Sequence, residues 1–111
     1  MSYNYMVGLI EQICGLIETP TAKTYTIVIK SNFSFTLNDI TVKLASGTCT
    51  MAVKIDGVDV TSLSAISVTN GEQTVTASGA NAAAAGTDLT LVLSAISSPV
   101  DLSFNIKTTR T

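Results

Sequence analysis

Apolar and polar positions alternate along most of this chain, most cleanly between Thr48 and Val60. Cys49, Met51, Val53 and Ile55 alternate there with Thr48, Thr50, Ala52 and Lys54. One face is apolar and the other polar or small, the period-two signature of a half-buried strand. Asp56-Gly57 follows at once, a dipeptide suited to the positive φ angles of a two-residue hairpin. Val58 to Val60 then resumes as a short strand. The same grammar begins at Lys23, where Tyr25, Ile27 and Ile29 alternate with Thr24, Thr26, Val28 and Lys30. Ser31-Asn32 turns the chain, and Phe33, Phe35 and Leu37 line the next inner face. The apolar set restarts out of phase at Ile40, Val42 and Leu44, so Asn38-Asp39 marks a bulge or a tight turn.

Downstream, Leu63, Ile66 and Val68 lead to a second hairpin signal at Asn70-Gly71, and Thr74 to Ala77 reads as a small-residue strand. Ser78 to Gly86 has four consecutive alanines between glycines and no amphipathic pattern, which predicts a loop with at most one helical turn. Leu89, Leu91 and Leu93 form another strand, Ser97-Ser98-Pro99 turns it, and Val100, Leu102, Phe104 and Ile106 close the set. Seven or eight short strands separated by turns predict an all-β domain over residues 23–111, an antiparallel β-sandwich or jelly roll. Its expected core contains Ile27, Ile29, Phe35, Val42, Met51, Val53, Ile55, Leu91, Leu93, Leu102, Phe104 and Ile106.

Residues 1–22 follow another period and are expected to form a separate N-terminal arm, helical or extended. Met6, Leu9, Ile10, Ile13, Leu16 and Ile17 recur at spacings of three and four, on one helical stripe. Met6, Leu9, Ile13 and Leu16 also fit the a and d positions of two heptads, too few to hold a coiled coil alone. Gly8 and Gly15 weaken a helix, and Thr19-Pro20 ends it. The stripe either caps an open end of the sandwich or serves as an attachment element. Burying one such side chain is worth about 1.5–3 kcal/mol, so a few docked on a partner make an appreciable anchor.

Composition narrows the function classes. At 111 residues the chain holds one modest core. Only 13% of residues are charged, about half the usual share, so part of the surface is expected to be covered by other chains. A net charge of −2 with six basic residues argues against a nucleic-acid partner. Met1 to Tyr5 carries no basic leader region, and no apolar run reaches the roughly 18 residues of a membrane helix. Neither secretion nor a membrane partner is expected.

Candidate chemistry is sparse. The chain has no His, which removes the usual general base and the commonest metal ligand. Its many Ser and Thr residues lack a base to activate them. The close acidic pair, Asp56 and Asp59, flanks a hairpin and reads as turn chemistry; the alternative, a weak surface calcium site, needs further oxygens the sequence does not point to. Asn32-Phe33-Ser34 matches a glycosylation sequon by chance. Trp is absent, so no broad aromatic platform for sugars or bases is apparent. Cys14 and Cys49 read as buried, inert thiols, with a disulfide as the alternative. No catalytic residue, cofactor or metal site is expected.

The order of motifs adds more. The series TYTIVIKSNFSFTLNDITVKL, SGTCTMAVKIDGVDVTSLSAISV, QTVTASGANAAAAGTDLTLVLS and VDLSFNIKTTRT resembles a small β-sandwich module of tailed-bacteriophage virion proteins. The most specific pieces are Gly47-Thr48-Cys49-Thr50, Lys54-Ile55-Asp56-Gly57, Ala84-Ala85-Gly86-Thr87-Asp88 and Phe104-Asn105-Ile106-Lys107. In that family the module decorates or cements capsids, or ends tail-fibre and tail-tip chains. The resemblance implies a non-enzymatic structural protein of the virion, assembled in the host cytoplasm. Its implied partners are other copies of itself, as a homotrimer, and virion proteins such as the major capsid protein. The heptad positions alone, Ile at a with Leu at d, favour two strands rather than three. Little precedes the module, which favours a small stand-alone virion component over a fibre. A tail or baseplate protein contacting a host receptor, and a free carbohydrate- or protein-binding module, remain as alternatives.

Overall fold

The alternating segments become strands that each turn one apolar row inward, and two antiparallel sheets close those rows against each other. The computed structural model describes residues 8–111, in which ten strands form: β1 (Ile10–Ile17), β2 (Thr24–Val28), β3 (Phe35–Lys43), β4 (Ser46–Ile55), β5 (Val58–Asp59), β6 (Ile66–Val68), β7 (Gln73–Thr76), β8 (Ala82–Ala83), β9 (Leu89–Val100) and β10 (Leu102–Arg110). One sheet has the order β1-β10-β3-β7, with β8 also on β3; the other runs β2-β9-β4-β5, with β6 also on β4. The expected β-sandwich is therefore present, with more strands than seven or eight because several are only two to four residues long.

The core lies between the two longest ladders. Leu37, Ile40, Val42, Leu102 and Ile106 from one sheet meet Met51, Val53, Leu89, Leu91 and Leu93 from the other, and all are buried. Ser31 and Thr108 are the buried polar residues among those described. Ser31 Oγ donates to the Phe33 carbonyl at 2.6 Å, which meets the requirement that a buried hydroxyl find a partner.

Turn chemistry behaves as the sequence indicates at one hairpin and differently at another. Asp56 and Gly57 both take positive φ, +49° and +79°, and Ile55 pairs with Val58 across a two-residue turn. Asn70-Gly71 is not a hairpin. It carries the chain from β6 in one sheet to β7 in the other, with the Gly71 N–H donating to Thr69 Oγ1. Ser97-Ser98-Pro99 does not turn the chain either. Strand β9 continues through it with positive φ at Ala95 and Ser98, and the turn comes at Asp101, φ +52°. These kinks coincide with register shifts against β4. The alanine-rich loop has no helical turn; Ala82–Ala83 pair with Phe35–Thr36 as β8.

Two bulges decide which residues face inward. In β3, Thr108 lies opposite Leu37 and Lys107 opposite Asp39, so Asn38 is the extra residue. The expected phase slip is this bulge, and Asn38 Nδ2 donates to Thr109 Oγ1 at 2.7 Å. In β2, Thr26 lies opposite Thr90 and Val28 opposite Leu89, so Ile27 is the extra residue there. An added residue exchanges the faces of everything beyond it. Val28 therefore turns towards the core, Ile27 is only half-buried, and Ile29, expected in the core, is 73% exposed.

The N-terminal segment departs most from expectation. Residues 10–17 form no helix. They are strand β1, antiparallel to β10 from Ile10 opposite Thr109 to Ile17 opposite Leu102 without a register shift. The boundary expected at Lys23 falls in the connection between β1 and β2.

Two substitutions test this packing in urea denaturation. Phe104→Ala, in the buried inward row of β10, should cost roughly 3–5 kcal/mol; a midpoint within error of wild type would place the ring outside the core. Gly47 has φ +78°, and a Cβ there would overlap the Ser98 backbone carbonyl. Gly47→Ala should therefore cost more than about 1 kcal/mol, and a neutral result would contradict the close approach of β4 and β9.

Candidate functional site

Strand β1 carries most of the residues picked out as an attachment stripe, and its pleat divides them. Residues two apart share a face of a strand. Ile13 and Ile17 turn inward and pack half-buried against the core, opposite Ile106 and Leu102. Ile10 and Leu16 turn outward and are 67% and 55% exposed. Leu9, just before the strand, is also exposed. Met6 lies outside the described residues. The five described residues of the stripe are thus not brought together on one surface; the outward part within β1 is Ile10 and Leu16, with Gln12 and Cys14 between them.

Gly15 completes the inward row, opposite Phe104. A Cβ there would approach the tip of the Phe104 ring at 2.9 Å, so the ring lies over the glycine and fills its place. At the start of the strand, Arg110 donates from Nε and Nη2 to the two Glu11 carboxylate oxygens at 3.1 and 2.9 Å. The same guanidinium stacks on Phe33, 3.6 Å from the ring centroid. A bidentate, ring-backed pair of this kind fixes both side chains. Glu11 also lines a cleft of about 260 Å³ between β1 and the β2–β3 connection, together with Ile13, Val28, Phe33 and Phe35. Phe33 and Phe35 meet edge to face at 6.4 Å. On the outer side of the same sheet, Asn105 Oδ1 is buried without a hydrogen-bond partner among the described residues.

The acidic residues do structural work. Asp59 pairs with Lys54 at 3.0 Å across the β4–β5 hairpin. Asp56 joins Asp88 rather than Asp59: the Asp88 N–H donates to Asp56 Oδ1 at 2.8 Å, and the Asp56 N–H donates to the Asp88 carbonyl at 2.9 Å. Asp88 Oδ1 in turn accepts the Lys30 N–H at 2.9 Å. These bonds clamp three loops. Nothing in the sequence links Asp88 to Asp56, because the two lie 32 residues apart. Among the described residues no three His, Cys, Asp or Glu side chains gather as a metal site.

The cysteines are unbonded and differ in setting. Cys49 is buried in β4, and burial raises its thiol pKa above the ordinary value. Cys14, expected to be buried, is exposed on the outer face of β1.

Comparison with known proteins adds a fold relationship. No protein-family model matches the chain, and no curated protein matches it in sequence. A chain in the acidic stable capsid structure of Helicobacter pylori bacteriophage KHP30 superposes with a TM-score of 0.61 at 9% identity, over 93% of this chain and 89% of that one. The C-terminal domain of EclA, a sugar-binding protein, superposes with a TM-score of 0.53 at 11% identity, over 87% and 78%. What is shared at these identities is the fold. The small β-sandwich implied by the sequence resemblance is one that a phage capsid chain also adopts.

Two measurements check the site. Ile13→Ala should lower stability by about 1–2 kcal/mol for its half-buried side chain, while Ile10→Ala stays within about 0.5 kcal/mol; equal effects would restore the helical stripe. In thiol titration, the native protein should react promptly at one cysteine per chain and at two only after denaturation. Prompt reaction of both would put Cys49 at the surface.

Proposed function

We propose that this protein is a non-enzymatic structural component of a tailed-phage virion, bound to the outside of the capsid as a decoration or cement protein. The observation that carries the reading is the end-to-end correspondence with a phage capsid chain, in which nearly the whole of each molecule is used. Low charge and carboxylates committed to loop clamps support it. The attachment surface in this reading is the outer face of β1 and its neighbours. Exposed Ile10 and Leu16 supply apolar area there, and the Asn105 oxygen, unpartnered among the described residues, is an acceptor for a partner's donor. Ile13 and Ile17 act from beneath by fixing the strand, and the major capsid protein is the partner.

A second reading, a carbohydrate-binding module, is favoured by the likeness to the EclA domain and by the cleft over Phe33 and Phe35. Labelled antibody against the protein should mark the heads of purified virions in electron microscopy. Particles stripped of it should take the purified protein back, and Leu16→Glu should reduce that uptake at least tenfold. Absence from purified particles, together with saturable binding on a glycan array, would replace the first reading with the second.

A further inference from the structure

The two sheets leave four edges, and three are protected against pairing with another chain. Natural edges are kept short, bulged or charged because an open ladder is a template for association. Strand β2 has five residues, a bulge at Ile27, and Lys23 and Lys30 beside its ends. At the remaining two edges the strands are β5, β6, β7 and β8, of two to four residues each. Strand β1 is different. It has eight residues in unbroken register with β10, no proline, and one charge, Glu11, that Arg110 holds in a bidentate pair. Its other side pairs with no strand among the described residues.

We propose that this edge pairs with β1 of a second copy of the chain, antiparallel about a twofold axis, so that one sheet runs through both molecules. Symmetry restricts the register. A twofold axis normal to the sheet keeps outer faces on the same side, so facing residues must both be odd-numbered or both even-numbered. With Ile13 opposite its own counterpart, Ile10 faces Leu16 on the outer side and Leu9 faces Ile17 on the inner side. Glu11 then faces Gly15, which has no side chain to disturb the Arg110 pair. The neighbouring permitted registers lose this match. Centring on Cys14 sets Glu11 against Ile17 and Gln12 against Leu16; centring on Gln12 sets Glu11 against Ile13 and Leu16 against Gly8. One register therefore matches apolar with apolar at each such position.

Charge agrees with a copy of the same chain as occupant. Each molecule carries a net −2, so self-association needs an edge free of uncompensated charge, and the paired Glu11 provides one. The partner would also cover the half-buried Ile13 and Ile17. This twofold assembly differs from the homotrimer that the family resemblance implies. It is independent of the virion reading, because it is measured on purified protein.

The test is sedimentation of the full chain at tens of micromolar, with variants on the edge. Wild type should run at twice the 11.5 kDa chain mass. Cys14→Lys places a charge on the exposed outer face at mid-edge; it should run at the single-chain mass with an unchanged circular dichroism spectrum. Gln12→Cys, which faces Cys14 of the second copy in this register, should give a covalent dimer on mild oxidation, whereas wild type should not. A monomeric or trimeric wild type overturns the proposal. So does a dimer that survives Cys14→Lys, or one that Gln12→Cys fails to crosslink.

Discussion

The inward row of β10 holds one sheet of this sandwich together. Leu102, Phe104, Ile106 and Thr108 are buried, and the strand that carries them is central only because β1 lies on one side and β3 on the other. An outermost β10 would have an open ladder, and the Phe104 ring would lose the Gly15 backbone beneath it. The N-terminal strand is therefore part of the load on the core, even though its outer face is solvent-exposed. One eight-residue segment serves packing with Ile13, Gly15 and Ile17, and presents Ile10, Cys14 and Leu16 outside.

That double service is why the segment misleads as sequence. A strand that is apolar on one face alternates visibly, as β4 does with Cys49, Met51, Val53 and Ile55, and its core residues can be named in advance. Strand β1 is apolar on both faces. Leu9, Ile13 and Ile17 belong to one row, Ile10 and Leu16 to the other, and together they produce spacings of three and four that imitate a helix. The two bulges show the same logic. At Asn38 the extra residue is polar between apolar rows, so the slip is legible. At Ile27 the extra residue and the two that follow it, Val28 and Ile29, are all apolar, so the slip is invisible. Ile29 accordingly lies on the face opposite to the one its alternation predicts.

Long-range pairings were illegible for another reason. Nothing local at Asp56 says that its loop will meet Asp88 and Lys30, and nothing at Asn70-Gly71 says whether the next strand stays in the same sheet. A turn dipeptide encodes the direction of a few residues, whereas the choice of sheet depends on which rows need covering. The Asp56-Gly57 hairpin was readable because its two strands are consecutive in one sheet and its turn geometry is closed locally.

The exposed apolar side chains gain meaning from their distribution. Val58, Val100 and Ile29 lie on separate strands or loops and are ordinary surface residues. Ile10 and Leu16 share one face of one strand, beside an unprotected ladder edge. Burying each is worth about 1.5–3 kcal/mol at most, while association costs an estimated 4–15 kcal/mol or more before contacts count. One chain docking through two such side chains is therefore close to break-even. In the proposed dimer, pairing through the edge would change that balance without any new residue, since Ile10 of each copy would come beside Leu16 of the other and the patch would double. The second half then docks within a molecule already held, at the high effective concentration that linkage confers. Edge and face are complementary in the proposed dimer: the backbone of β1 would select a copy of itself, and Ile10 and Leu16 of the joined pair would present one larger apolar patch to a partner.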